Sequence, residues 1–152
     1  MDATSILCSV AEALHHANLE AVMIGNAAAA IQGAPVTTMD IDFCIKDNEN
    51  NIKKLSKVAN ELEAELTDFY PFFQIQNPDN ELYLDFLTRV IGIDSFESLL
   101  EKSTTLSFDG IFSLKIASLE DIIKSKTAAG NDKDLAVLPI LKKTLELRNE
   151  KQ

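Results

Sequence analysis

The stretch MIGNAAAAIQGAPVTTMDIDFCIK, residues 23–46, decides how the rest of the chain is read. It predicts a strand end, a Gly25-Asn26 turn, a short helix of small residues over 27–31, a Pro35-containing loop and a second strand over 40–46. Residues two apart in a strand point to one side, so Asp40 and Asp42 share a face and Ile41 and Phe43 take the other. Two adjacent carboxylates repel unless a positive charge lies between them, and a hard divalent cation is the usual partner for oxygen ligands. A charged Asp42 inside an apolar strand needs a partner or a function. Gly25 permits a tight turn and the close approach of a ligand. Asn26 is expected to cap the helix that follows, and the free amides at such a helix start suit phosphate oxygens.

Working outward, residues 4–18 carry Ile6, Leu7, Val10, Ala11 and Leu14 at helical spacing, and 20–24 reads as a short strand. Ile52, Leu55, Val58, Ala59, Leu62 and Leu66 predict a long amphipathic helix over 51–66. An extended piece over 69–75, broken by Pro71, leads to a turn over 76–80. In 81–90, ELYLDFLTRV, alternation sets Leu82, Leu84 and Phe86 against Tyr83, Asp85 and Leu87. Asp85 is a second acid out of place among bulky residues. If its strand lies beside 40–46, Asp40, Asp42 and Asp85 meet.

A short helix capped by Ser95 follows, then a hairpin of 104–108 and 111–114 around Asp109-Gly110. Ser118 and Asp121 open a helix over 119–129 that Gly130 closes. A last helix runs from Asp132 to about Leu147, bent near Pro139, with Leu135, Leu138, Leu141 and Leu145 packing back. The alternation of helices and strands gives an α/β (α+β) class. One domain over 1–152 is expected, with residues about 118–149 forming a C-terminal helical portion.

The formal net charge of −10 gives the chain no global attraction for nucleic acid or anionic membrane, so any polyanion must be gripped locally. Cys8 and Cys44 are too few for a disulfide framework or a structural zinc site, and Cys44 reads as a small core side chain. His15 and His16 are adjacent on a helix without ligand spacing to a third group, and read as surface or half-buried histidines. No run approaches eighteen apolar residues and the start lacks a signal-peptide pattern, so a cytoplasmic address without membrane contact is expected.

Residues 20–46 resemble the opening of the DNA polymerase beta-like nucleotidyltransferase superfamily, where a Gly-rich turn and short helix precede an Asp-x-Asp strand. The nearer likeness is to small prokaryotic members, the AbiEii-type toxins and minimal nucleotidyltransferase (MNT, antitoxin-like) proteins. SLEDIIKSK, residues 118–126, with Ala128-Ala129-Gly130 and Lys133-Asp134-Leu135, is similar to a C-terminal stretch of those proteins. The resemblance implies a nucleotidyltransferase-like fold, a small mixed sheet flanked by helices with C-terminal helices. It also implies Mg2+ or Mn2+ held by Asp40, Asp42 and Asp85, and a nucleoside triphosphate whose phosphates meet Gly25, Asn26 and Lys126. Asn26 stands where Gly or Ser is usual, Asn131 stands where Arg is common, and the loop 34–39 carries no charge.

The expected activity is metal-dependent transfer of a nucleoside monophosphate onto a hydroxyl of RNA, protein or a small molecule, which makes the chain an enzyme of the transferase class. The alternative is a catalytically weak or inactive partner protein of a toxin–antitoxin-like system, binding another protein or forming a homodimer. A metal-dependent phosphohydrolase is a third reading.

Overall fold

The computed structural model describes residues 2–150. Asp2 caps the first helix, α1 (Ala3–His16), by accepting from the Ser5 amide at 2.8 Å. Asn18 then takes a left-handed φ of 54° and turns the chain into β1 (Ala21–Ile24). The helix α2 (Gly25–Ile31) follows without a connecting residue. It starts two residues earlier than its sequence suggests. Ile24 holds the cap position with no side-chain bond, so Asn26 lies inside the helix and is not its cap.

After the loop comes β2 (Ile41–Ile45), with Asp40 one residue ahead of it. Asn48 caps α3 (Glu49–Glu61). This helix stops short of the expected 66 because Glu63 adopts a left-handed φ of 52° and the Ala64 amide closes back on the Ala59 carbonyl at 2.9 Å. Leu66 therefore belongs to a strand, β3 (Glu65–Phe69), which forms a hairpin with β4 (Phe72–Asn77) through a cis Tyr70–Pro71 bond. A 3-10 turn over Pro78–Asn80 leads into β5 (Leu82–Leu87).

Ser95 caps α4 (Phe96–Glu101), accepting from the Ser98 amide. The hairpin β6 (Thr104–Phe108) and β7 (Phe112–Ile116) turns at Asp109-Gly110 as expected. Ser118 caps α5 (Leu119–Ala129), which Gly130 ends in the left-handed region. The last helix, α6 (Asp132–Glu150), runs through Pro139. Leu138 and Leu141 are buried on it, whereas Leu135 stays exposed.

The strands form one mixed sheet in the order β3-β4-β5-β2-β1-β7-β6. β2 runs parallel to β5 and antiparallel to β1, and β1 runs parallel to β7. This sheet has more strands than its sequence suggests, because the β3–β4 hairpin takes residues assigned there to helix and to one broken strand. Phe43 and Phe86, paired in register, stack with ring centroids 5.3 Å apart and have no exposed surface. They belong to the same buried cluster as Val10, Leu14, Leu55 and Val58 from α1 and α3. Cys44 is buried among these strands, and burial pushes its thiol up to about 12, which leaves it an inert core side chain.

Emptying the Phe86 site would leave a cavity at the centre of the β2–β5 contact. Phe86→Ala is expected to cost about 3–5 kcal/mol, a large part of a domain's usual stability. Chemical denaturation measures it, and a loss under about 1 kcal/mol would show that the ring is not central to the packing.

Candidate active site

The parallel pairing of β2 with β5 sets Asp42 directly opposite Asp85. Both point away from the Phe43–Phe86 stack, because alternate residues in a strand face opposite sides. Burial pushes the Asp42 carboxyl up to about 6, helped by the charge and hydrogen bonding of Asp85 and by the charge of Asp40, against a smaller opposing pull from Lys126. Asp85 is likewise raised, by burial first and then by Asp40, while hydrogen bonds with Asp42 and with Gln74 work the other way. Gln74 lies opposite Asp85 on β4. Carboxylates so crowded hold a proton or attract a cation more readily than isolated ones.

Gly25 closes the other side. Its φ is +70°, and a Cβ placed there would come within 2.9 Å of Asp42 Oδ2. Only a residue without a side chain fits that approach at no cost. Asn26 Oδ1, one position on, is buried without a hydrogen-bond partner.

Asp42 and Gly25 open into a cavity of about 310 Å³. Its walls are mostly apolar, with Ile24, Leu87, Val90, Ile93, Leu99 and Ile122 among them, and its polar groups are Arg89, Asp121, Ser125, Lys126 and Asp134. Lys126 is only 12% exposed and sits 3.3 Å from Asp134, so α6 holds the α5 lysine in place. The first turn of α6 is itself fixed by Asn131, whose Oδ1 accepts from the Asp134 amide at 2.8 Å. The loop between β5 and α4 lies hard against α5 at Gly92. There φ is +83°, and a Cβ would meet Ala128 Cβ at 2.7 Å and the Lys124 carbonyl at 3.0 Å.

Residues 3–151 match the family described as nucleotidyl transferase of unknown function (DUF2204). The chain belongs to that nucleotidyl transferase family. Solved structures share its fold. The antibiotic-resistance factor ANT(2'')-Ia in solution superposes with a TM-score of 0.67 at 15% identity, over 95% of this chain and 86% of that one. The lincosamide antibiotic adenylyltransferase LnuA, lincomycin-bound, gives 0.64 at 11% identity, over 91% and 95%. An antigenic nucleotidyltransferase-like protein from Paracoccidioides brasiliensis gives 0.62 at 18% identity, over 97% and 78%. At these identities the likeness is one of fold. No curated protein sequence matches the chain significantly.

In this nucleotidyl transferase the residues singled out from sequence fall into one neighbourhood: the charges of Asp40 and Asp85 act on Asp42 and that of Asp40 acts on Asp85, Gly25 abuts Asp42, and Lys126 lines the same cavity. Sequence reasoning missed Arg89, Asp121 as a cavity residue, and Asp134 as the partner of Lys126. Arg89 had a signal, since it lies two residues beyond the strand that carries Asp85. It places a cation at the cavity, whereas the loop 34–39 carries no charge. The Ser118–Asp121 spacing marks a helix start, which is a local role, whereas the cavity is made by α5, α6 and three strand ends meeting.

His16 lies at the surface, as its sequence suggests, and there it meets two acids. Among the described residues, Glu12, His16 and Glu61 offer ligand atoms within 4.8 Å of one another. His16 Nδ1 lies 2.7 Å from Glu61 Oε1 and joins α1 to the end of α3. None of these residues lines the cavity, and the helix-to-helix bond accounts for the cluster.

Two outcomes follow from this geometry. The raised Asp42 pKa means that its ionised form costs stability above about pH 6, a cost relieved as the pH falls through that value toward the unfolded pKa near 4. In chelator-treated protein at pH 7.5, Asp42→Asn should raise Tm, by roughly 3–10 °C for a gain of about 1–3 kcal/mol. The gain should shrink at pH 5, and an unchanged or lower Tm at pH 7.5 would contradict the crowding. Gly25→Ala should cost about 1–2 kcal/mol for its left-handed backbone alone; thermal melting that leaves Tm intact would show that this position accepts a side chain.

Proposed function

We propose that this nucleotidyl transferase moves a nucleoside monophosphate from a nucleoside triphosphate to a hydroxyl of a small molecule, with Mg2+ or Mn2+ held by Asp40, Asp42 and Asp85. The observation that carries this reading is the Asp42–Asp85 pairing beside Gly25, opening into a cavity that holds Lys126 and Arg89. Crowded carboxylates beside cationic side chains suit a metal-bound polyphosphate better than they suit a neutral ligand. When bound, the divalent ion would supply charge neutralisation on the triphosphate.

The chain's own residues take the remaining roles. Lys126, steadied by Asp134, and Arg89 contact phosphate oxygens. Gly25 lets the backbone come close to them, and the amide of Asn26 is available beside it. Asp85, with its raised pKa, takes the proton of the attacking hydroxyl, since a stronger base is a better acceptor. The new bond joins the acceptor oxygen to the α-phosphorus, the bond from that phosphorus to the bridging oxygen breaks, and pyrophosphate leaves with its electron pair.

A small acceptor is favoured by the net charge of −10, which opposes RNA. The fold also occurs in LnuA, described as a lincosamide antibiotic adenylyltransferase bound to lincomycin. No helix among the described residues is long and apolar enough to cross a membrane. A cytoplasmic setting, where nucleoside triphosphates are present, suits the proposed substrate.

Calorimetric titration with each of the four common nucleoside triphosphates, with and without Mg2+, tests the assignment. Metal-dependent binding is expected in the wild type, weakened at least tenfold in an Asp40→Asn, Asp42→Asn double variant that melts normally. Undiminished binding in that variant would overturn the carboxylate roles. Failure of every nucleotide to bind the wild type would favour the noncatalytic partner role considered from sequence.

A further inference from the structure

The cavity beside Asp42 contains an acid that phosphoryl chemistry does not use. Asp121, in the first turn of α5, is only 4% exposed. Its Oδ1 lies 3.7 Å from Lys102 Nζ, a loose pairing with a half-exposed lysine, and its Oδ2 is buried with no hydrogen-bond partner. A buried acceptor left without a donor costs about as much as a good hydrogen bond contributes, so a fold retains one at little benefit to itself. Ser118 already caps α5 by accepting from the Asp121 amide at 3.1 Å, and that bond needs nothing from the Asp121 carboxylate.

We propose that Asp121 is a specificity-determining residue that reads the nucleobase, accepting a hydrogen bond from an exocyclic amino group and so favouring ATP and CTP over UTP. The inference rests on the nucleotide-binding reading above. Asp42, Lys126 and Arg89 give the cavity a phosphate-binding side, while Asp121 lines it among the apolar side chains of Leu99 and Ile122. A flat, largely apolar group with a donor on its edge is what such a lining accommodates, and a nucleobase bearing an amine has that form. A carboxylate offers acceptors only, so it rewards an N–H and opposes a carbonyl oxygen. Uracil presents carbonyl oxygens where cytosine and adenine present an amine. The discrimination comes from desolvated polar groups, which penalise a mismatched partner more than they reward a matched one.

The test is calorimetric binding in the presence of Mg2+ of ATP, CTP, UTP and inosine triphosphate, which has a carbonyl in place of the adenine amine. Wild type is expected to bind ATP roughly tenfold or more tightly than inosine triphosphate, and ATP and CTP more tightly than UTP. Asp121→Asn, which offers both a donor and an acceptor, should bring these affinities within about threefold of one another. Lys102→Met should leave the order of preference unchanged, because Lys102 lies on the other carboxylate oxygen. Equal affinity of wild type for ATP and inosine triphosphate would overturn the proposal without any variant having to fold. An order of preference preserved in Asp121→Asn, or lost in Lys102→Met, would overturn it by making Asp121 a structural partner of α4. If no nucleotide binds the wild type, the nucleotide reading itself fails, an outcome distinct from binding without preference.

Discussion

The pairing of β2 with β5 carries two opposite demands on its two faces. On one side Phe43 stacks on Phe86 in a wholly buried contact. On the other, the same register sets Asp42 against Asp85 and brings like charges together in a partly desolvated place. A slip of one residue would exchange the faces, burying acids in the core and turning the phenylalanines toward the cavity. The hydrophobic face therefore fixes the register, and the register holds the acids together against their repulsion.

That repulsion gives the site its character. Burial and the charge of Asp40 raise both Asp42 and Asp85, Asp85 raises Asp42 further, and Lys126 opposes the effect at Asp42. The lysine is placed by an ion pair to Asp134, so the final helix takes part in the electrostatics of the sheet. Glycines govern the close approaches. Gly25 lets the chain pass against the Asp42 carboxylate, and Gly92 lets the loop after β5 pack against α5. Binding of a cation and a polyphosphate would turn a costly cluster into a satisfied one, which links the strain of the free site to the proposed activity.

Much of the architecture is legible in local patterns. The apolar spacing of Val10, Ala11 and Leu14, the Ser95 and Ser118 caps, the Asp109-Gly110 turn and the alternation through Leu82–Leu87 all act within a few residues of themselves. The boundary errors arise where two local tendencies compete. Leu66 continues the helical spacing of Ile52, Leu55, Val58 and Leu62, yet pairing with Ile75 in the β3–β4 hairpin claims it for a strand. Asn26 is a good capping residue by type, but β1 runs directly into the helix and leaves no turn for it to cap.

The sequence by itself determined that two strands would each carry an acid on the face opposite their large apolar residues, because side-chain alternation is a property of a single extended segment. It also determined the glycine before the first acid and the small-residue helix beside it. Only the tertiary structure decided that the strands are neighbours in a register that opposes Asp42 to Asp85, that Arg89 and Asp121 line one cavity with them, and that Asp134 holds Lys126 there. Those relations join residues many positions apart, and they are set by how the sheet orders its strands and how α5 and α6 close over it, a result of packing the whole chain at once.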